Sequence, residues 1–365
     1  MRLHIYFGRR FLVYYLALTL GFFVLLVLID LIEEAQRFEP DTVTFSEVFG
    51  LTLLKAPTSM YTIMPLIFVL SALALFLSLA KSSELVITRS AGRSALMALW
   101  SPFLITLLIG VGLITVLNPI VAATSERYET LQDKYRQGDS AIFSISNEGL
   151  WLRQGSPTRQ TVIHANGANH DGSVLYNVSL ITFAQGGGPI RRIEAASARL
   201  ESGYWRLSSA KAWPLVAGLN PEVNATEFAT LRVPSTLTRE SLSDSFGEPS
   251  RVPIWDLPSH VDALETAGFS ARRHQVWFHM ELARPLFLGS MILIGAGFTM
   301  RHTRFGHTGL MVLFAVLLAF GLYFIRNFAQ ILGENGQIPI LWAAWTPPLA
   351  GVLLALGIIL HMEDG

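Results

Sequence analysis

Four clusters of polar residues have types and spacings that could do chemistry. Ser82-Ser83-Glu84-Leu85-Val86-Ile87-Thr88-Arg89-Ser90-Ala91-Gly92 joins two long apolar runs. Ser82 or Ser83 can cap a short helix there, Glu84 sits at its positive end, and Gly92 can end it. Leu85, Val86 and Arg89 then fall near one face. Such an amphipathic helix either lies on lipid or plugs into the groove of a partner. Asp30 and Arg326 follow or end apolar runs, where an unpartnered charge costs about 2.5–3.5 kcal/mol even on lenient insertion scales. Arg326 could fork onto a lipid phosphate, or pair with Asp30 or a backbone carbonyl. Glu33, Glu34, Arg37 and Lys55 make a mixed-charge patch close to Asp30 in sequence. Glu281 and Arg284, spaced i and i+3, read as an ion pair.

None of these is a catalytic constellation. The chain has no cysteine, which removes disulfides, thiolate metal sites and a cysteine nucleophile together. No G-x-x-x-x-G-K-[ST] phosphate loop occurs, so ATP chemistry would need a separate subunit. His164, His170, His260 and His274 are scattered without metal-ligand spacing. A net charge of zero gives no overall pull toward nucleic acid.

The elements that position these residues are mostly membrane helices. Of the 365 residues, 51% are hydrophobic and only 15% charged, well under the quarter that an ordinary soluble domain carries. Charge-free or nearly charge-free runs cover 11–29, 56–80, 94–125, 285–300 (extended upstream through Val276), 305–325 and 335–360. About 20 apolar residues cross a hydrocarbon core, so six transmembrane helices are predicted, three on each side of a polar middle. Arg2, Arg9, Arg10, Lys81, Arg89, Arg93, Arg301 and Arg304 fall on one side if the helices alternate. That bias places both termini in the cytoplasm and the segment from Pro119 to His274 outside. Arg9-Arg10-Phe11-Leu12 has the look of a twin-arginine signal, but the apolar run is too long and no cleavage site follows, so an uncleaved helix is expected.

The middle segment has short strand signals at 141–146, 161–164, 174–178, 180–183 and 195–212, separated by turn signals at Gly155-Ser-Pro157, Asn166-Gly167, Asp171-Gly172 and Gly186–Pro189. An antiparallel sandwich or open barrel is predicted, followed by a helix from Pro258 to Gly268. The predicted architecture is an α+β membrane protein, divided as 1–125, 126–274 and 275–365. Phe and Leu enrich the first and fifth helices, with Phe23 and Phe320 among them. That suits acyl chains and equally suits plain bilayer contact. Trp342 and Trp345 fit an interfacial aromatic belt.

Ser83-Glu-Leu-Val-Ile-Thr-Arg-Ser-Ala-Gly92 resembles the coupling-helix motif of the YjgP/YjgQ (LptF/LptG) family of lipopolysaccharide-export permeases. Met64-Pro65-Leu66, the stretch from Trp255 to Gly268, Arg273-His-Gln, Pro285-Leu286, Ile338-Pro339 and Ala343-Ala-Trp-Thr-Pro347 resemble the family in the same order over nearly the whole chain. Asp30, Ile338-Pro339 and Ala344-Trp345 look more like the LptG branch.

The resemblance implies an inner-membrane permease of an ATP-driven exporter with an inserted periplasmic β-jellyroll domain. Its partners would be a sister permease, two cytoplasmic ATPase subunits that bind ATP and Mg, a single-helix periplasmic β-jellyroll bridge protein, and lipopolysaccharide. The resemblance assigns Ser83, Glu84, Leu85, Arg89 and Gly92 to ATPase docking, and the first and fifth helices to lateral gates. Asp30, Arg37, Lys55, Arg326, Phe23 and Phe320 are the lipid-binding candidates. Some members carry basic residues just after the first helix, where this chain has Glu33 and Glu34. Arg37 and Lys55 would then substitute, or a divalent ion would bridge, or the lipid A would be less phosphorylated. The rival readings are a secondary transporter, which would show ionisable residues at several mid-membrane positions, and a membrane-anchored extracytoplasmic enzyme or sensor.

Overall fold

The computed structural model describes residues 2–38, 43–90, 95–136, 143–146, 149–156, 159–169, 173–184, 188–215, 218, 220–235, 237, 248–266, 270–300 and 308–363. They form two compact units. One comprises Met1–Tyr135, Pro253–Trp255 and Arg272–Gly365; the other comprises Arg136–Val252 and Asp256–Ala271.

The first unit is helical. It contains α1 (Arg2–Arg37), α2 (Phe45–Lys81), α3 (Glu84–Ser90), α4 (Ala95–Gly112) and, after a π-helical turn at Leu113–Leu117, α5 (Asn118–Arg136). After the second unit come α7 (Arg272–Leu282), α8 (Arg284–Thr299), α9 (Thr308–Glu334) and α10 (Ile340–Glu363). Among the described residues, five helices are long and apolar enough to cross a membrane, with α4 and α5 forming one of them. The pair α7 and α8, bent by 48°, makes a sixth if it is one span. The six predicted runs fall on these helices; α1, α2 and α9 extend past theirs, whereas α10 starts after the first residues of the 335–360 run. Thr44 starts α2, its backbone N–H donating to Glu47 at 2.8 Å.

Helix α8 is the axis of this unit. It packs against α2, α4, α9 and α10 and is buried nearly all round, as a helix apolar on every face should be. Small residues let it approach closely: a Cβ on Gly295 would lie 2.7 Å from Ala72 Cβ, and one on Gly110 of α4 would lie 2.7 Å from Pro285 Cα. Helices α1 and α9 are the opposite case. Leu16, Leu20, Leu28, Leu317 and Phe324 are all exposed on them.

The second unit is a seven-stranded antiparallel sheet with strictly sequential order. Its strands are β1 (Phe143–Ser146), β2 (Gly149–Ser156), β3 (Arg159–Ala168), β4 (Val174–Ala184), β5 (Pro189–Glu201), β6 (Tyr204–Pro214) and β7 (Thr226–Pro234). The inserted antiparallel β domain is therefore present, and its described strands form a single meander. The core face includes Leu150, Ile163, Leu180, Ile193 and the fully buried Trp205. It packs on Leu264 and Val261 of α6 (Leu257–Thr266).

Several local expectations are corrected. The Gly155-Ser156 part of an expected turn ends β2, a strand the sequence pattern did not reveal. Asn166-Gly167, expected to turn, continues inside β3. The two strand signals around Asn177 belong to one strand, β4. Asp171, Gly172, Gly186 and Gly268 lie outside the described residues.

One row crosses the sheet at Asn166, Asn177, Ala196, Ser209 and Ala229. Inward residues alternate normally up to this row and then skip one position, from Ala165 to Ala168 and from Ala195 to Ala198, for example. The pairing register runs through unchanged, with Val178↔Ala195 and Tyr176↔Ser197 on either side. Asn177 and Ser209 have φ of 50° and 52°, the left-handed region in which an extra outward residue can be accommodated. All five neighbouring strands thus make the same adjustment together. On the outward face a groove of about 680 Å³ lies along this row, between His164 and Trp213.

Candidate functional site

The short helix α3 forms as its local sequence requires. Ser83, at φ 58°, breaks α2 from α3, and Glu84 opens the new helix. The Glu84 carboxylate turns toward the chain's own helices. Its Oε1 accepts from Arg10 Nη1 of α1 at 2.8 Å and from Ser82 Oγ at 2.7 Å. Arg10 also donates to Tyr6 Oη and to Ser78 Oγ of α2, each at 2.7 Å. Burial raises the Glu84 carboxyl, but the bonds from Ser82 and Arg10 outweigh it and hold the group below the ordinary carboxylate range. Leu85 is buried, whereas Ile87 is 65% exposed. Gly92 and Arg93 lie outside the described residues, as do the side chains of Val86 and Arg89.

The patch of Asp30, Glu33, Glu34, Arg37 and Lys55 is closed on itself. Lys55 Nζ lies 3.1 Å from Asp30, 2.8 Å from Glu33 and 3.6 Å from Glu34. It thus stands where a bridging cation would. Arg37 pairs with Glu33 at 2.7 Å and Glu34 at 3.4 Å. Ser59 donates to Asp30 and Tyr128 to Glu34. Asp30 is 5% exposed and Glu34 0%. Both cations therefore face carboxylates of this chain, and the cluster carries one more carboxylate than cation. Of the three alternatives for this segment, direct substitution by Arg37 and Lys55 would have a phosphate compete with these carboxylates.

Arg326 and Asp30 are not brought together. Arg326 is 7% exposed, its guanidinium 5.2 Å from the Phe287 ring centroid, and its Nη2 makes no hydrogen bond among the described residues. Its surroundings are the buried side chains of the helical unit. Beside the α7–α8 bend, Arg284 Nε donates to Glu281 at 3.0 Å, and Tyr61 of α2 donates to the same carboxylate. The predicted Glu281–Arg284 pair is formed, but Glu281 is 0% exposed, so it is a buried pair.

Phe23 and Phe320 both expose their rings, on α1 and α9 respectively. With the neighbouring exposed leucines they make two apolar faces that nothing else in the chain covers among the described residues.

The family described as lipopolysaccharide export system permease LptF/LptG matches residues 5–361. The chain belongs to the LptF/LptG family.

Its curated relatives lie on the LptG side. The lipopolysaccharide export system permease protein LptG of Haemophilus influenzae is 24% identical, with 98% of each chain covered. LptG of Escherichia coli K12 is also 24% identical, over 83% of this chain and 80% of that protein. The chain is thus an LptG-like, multi-pass inner-membrane permease subunit for lipopolysaccharide export.

In this LptF/LptG permease the sequence pattern alone did not mark Arg10, Ser78, Tyr61 or Tyr128 as partners in these clusters. For Arg10 a signal existed: a charge at the edge of a long apolar helix needs a partner. The partner, 74 residues away, was not legible. Tyr61 and Tyr128 sit among apolar or amphipathic turns with nothing to mark them as donors to buried carboxylates.

Proposed function

We propose that this chain is one of two permeases in an ATP-driven exporter that takes lipopolysaccharide from the outer leaflet of the inner membrane. Its sister permease completes the lipid cavity, with α1 and α9 as the gate helices. Two cytoplasmic ATPase subunits bind ATP and Mg and dock on α3. The β domain, on the periplasmic side with both termini cytoplasmic, passes the lipid to a single-helix β-jellyroll bridge protein.

The contrast between a fully packed α8 and the exposed apolar faces of α1 and α9 carries this reading. Soluble proteins rarely expose such faces, and two on one unit suit contact with acyl chains and a second permease. The family match over nearly the whole chain gives the substrate class. A secondary transporter would use a buried ionisable cluster such as Glu281–Arg284. That carboxylate is already paired with Arg284 and bonded by Tyr61, so a coupling ion would have to compete with a buried guanidinium.

Co-purification in detergent tests the proposal. A complex with intact mass for two permeases and two ATPase subunits, ATP hydrolysis and bound lipopolysaccharide is the expected result. A lone stable chain without ATPase activity would overturn it.

A further inference from the structure

The Glu84 carboxylate is engaged inside the chain and still partly open. Its Oε1 takes the bonds from Arg10 and Ser82, and Tyr6 is a further partner of the carboxylate. The side chain is 29% exposed, so an outside cation can reach it while Oε1 stays engaged. Arg10 is the hub on the inner side. Its fork reaches Glu84 at the start of α3 and Ser78 in the last turns of α2, and it bonds Tyr6 one turn back on α1.

The N-terminal part of α1 is anchored around this hub. Ser101 Oγ of α4 donates to the His4 carbonyl at 2.7 Å, and a Cβ on Gly8 would lie 2.6 Å from that same hydroxyl. Phe7 and Phe11, on either side of Arg10, are fully buried. Beyond these anchors α1 continues to Arg37 with most of its apolar side chains exposed. A helix of 36 residues is about 54 Å long. It is held near one end by this hub and near the other by Lys55 and Tyr128, with most of the apolar side chains between them exposed.

We propose that Arg10 is a positioning residue that ties the docking helix α3 to α1, so that a displacement of α3 by a partner bound at Glu84 is carried into α1. This rests on the reading of α3 as the ATPase-docking element. Glu84 is the shared member: its exposed part meets the partner while Oε1 holds Arg10. The guanidinium is suited to this task because its planar fork holds two helices at once, which an ammonium cannot do in one fixed geometry. The positive φ at Ser83 turns the chain between α2 and α3.

Spin labels on Ile5→Cys and Ile87→Cys, both exposed in a chain without native cysteines, report the α1–α3 distance. They are read in the permease pair alone and in the full complex with and without ATP. In the parent chain one narrow distance is expected that persists when ATP is added, because the two helices move together. Arg10→Gln is expected to broaden it, to let ATP change it, and to lower lipopolysaccharide release about fivefold, the scale of one lost charge-assisted hydrogen bond, while ATP hydrolysis continues. Arg10→Lys should fall between. Ser78→Ala removes one tine of the fork without touching a charge, and should give a smaller loss.

An Arg10→Gln chain with the parental distance and parental export would overturn the tether. Failure of the ATPase subunits to co-purify with the unaltered chain would instead overturn the docking reading. The permease-pair distance would still decide the tether.

Discussion

Lys55 Nζ lies 3.1 Å from Asp30 Oδ1, joining α2 to a carboxylate that α1 buries almost completely. The same ammonium reaches Glu33 and Glu34, so one cation holds three acids.

Removing it should be costly. Lys55→Met leaves Asp30 and Glu34 buried with less compensation, and breaking a buried pair from one side costs roughly 3 kcal/mol. The expected result is a lower unfolding temperature in detergent. Asp30→Asn in the same chain should restore part of the loss, because it removes the orphaned charge. An unchanged unfolding temperature for Lys55→Met would show that the cluster does not hold these helices together.

Arg326 should behave in the opposite way. It is a buried cation with no carboxylate at ion-pair distance among the described residues, so Arg326→Met is expected to leave stability unchanged or raise it by about 1–3 kcal/mol. Glu281→Gln, which strips Arg284 of its counter-charge, is expected to cost about 3–5 kcal/mol. Thermal unfolding of both variants checks the pair. Lost export with unaltered stability in Arg326→Met would return this residue to the lipid-binding candidates.

Packing at α8 makes a sharper test. Gly295→Ala puts a Cβ 2.7 Å from Ala72 Cβ and 3.1 Å from the Val69 carbonyl oxygen. Overpacking of this kind costs about 1–3 kcal/mol. Ala72→Gly should rescue it, since the methyl it removes is the one in the way. If the double variant is no more stable than Gly295→Ala, then the Val69 carbonyl sets the limit.

The tether between α1 and α3 has a pH signature. The folded Glu84 carboxyl is held below its ordinary value of about 4.3. Its contribution is therefore complete above that value and declines only as pH falls through the lower, folded one. The Ile5–Ile87 label distance should stay narrow from neutral pH down past about 4.3 and broaden below it. Broadening already in mildly acidic buffer would contradict the Arg10–Glu84 bond.

The helices were legible because a missing charge is a one-dimensional signal. The apolar runs appear as helices, the one upstream of Met300 as the bent pair α7 and α8, and the short helix expected after Ser83 is α3, although Ser83 takes a positive φ and Ser82 bonds the Glu84 side chain. What could not be read was which charges meet. Arg37 and Glu33 stand i and i+4 apart and their pairing is local, but Lys55 reaches Asp30 only because α1 and α2 pack side by side. Arg10 and Glu84 are a similar case. In the β domain the turn signals at Asn166-Gly167 misled, because the residues that favour a turn also favour the outward step each strand makes at that row. The β2 strand was hidden by Gly155, Ser156 and Pro157, whose turn character shows only at its end.

That shared step across β3–β7 limits how the domain can change in length. Each strand carries one extra residue at the same row, and its neighbours match it. Deleting Asn177 alone would shift half of β4 by one place against both β3 and β5, so that hydrogen bonds formed on one side of the row would be lost on the other. A gain or loss here is tolerable only if five strands make it together. Single insertions and deletions should therefore survive at the hairpin tips and be lethal to the sheet along this line, which fixes the distance between its two ends as one inherited unit.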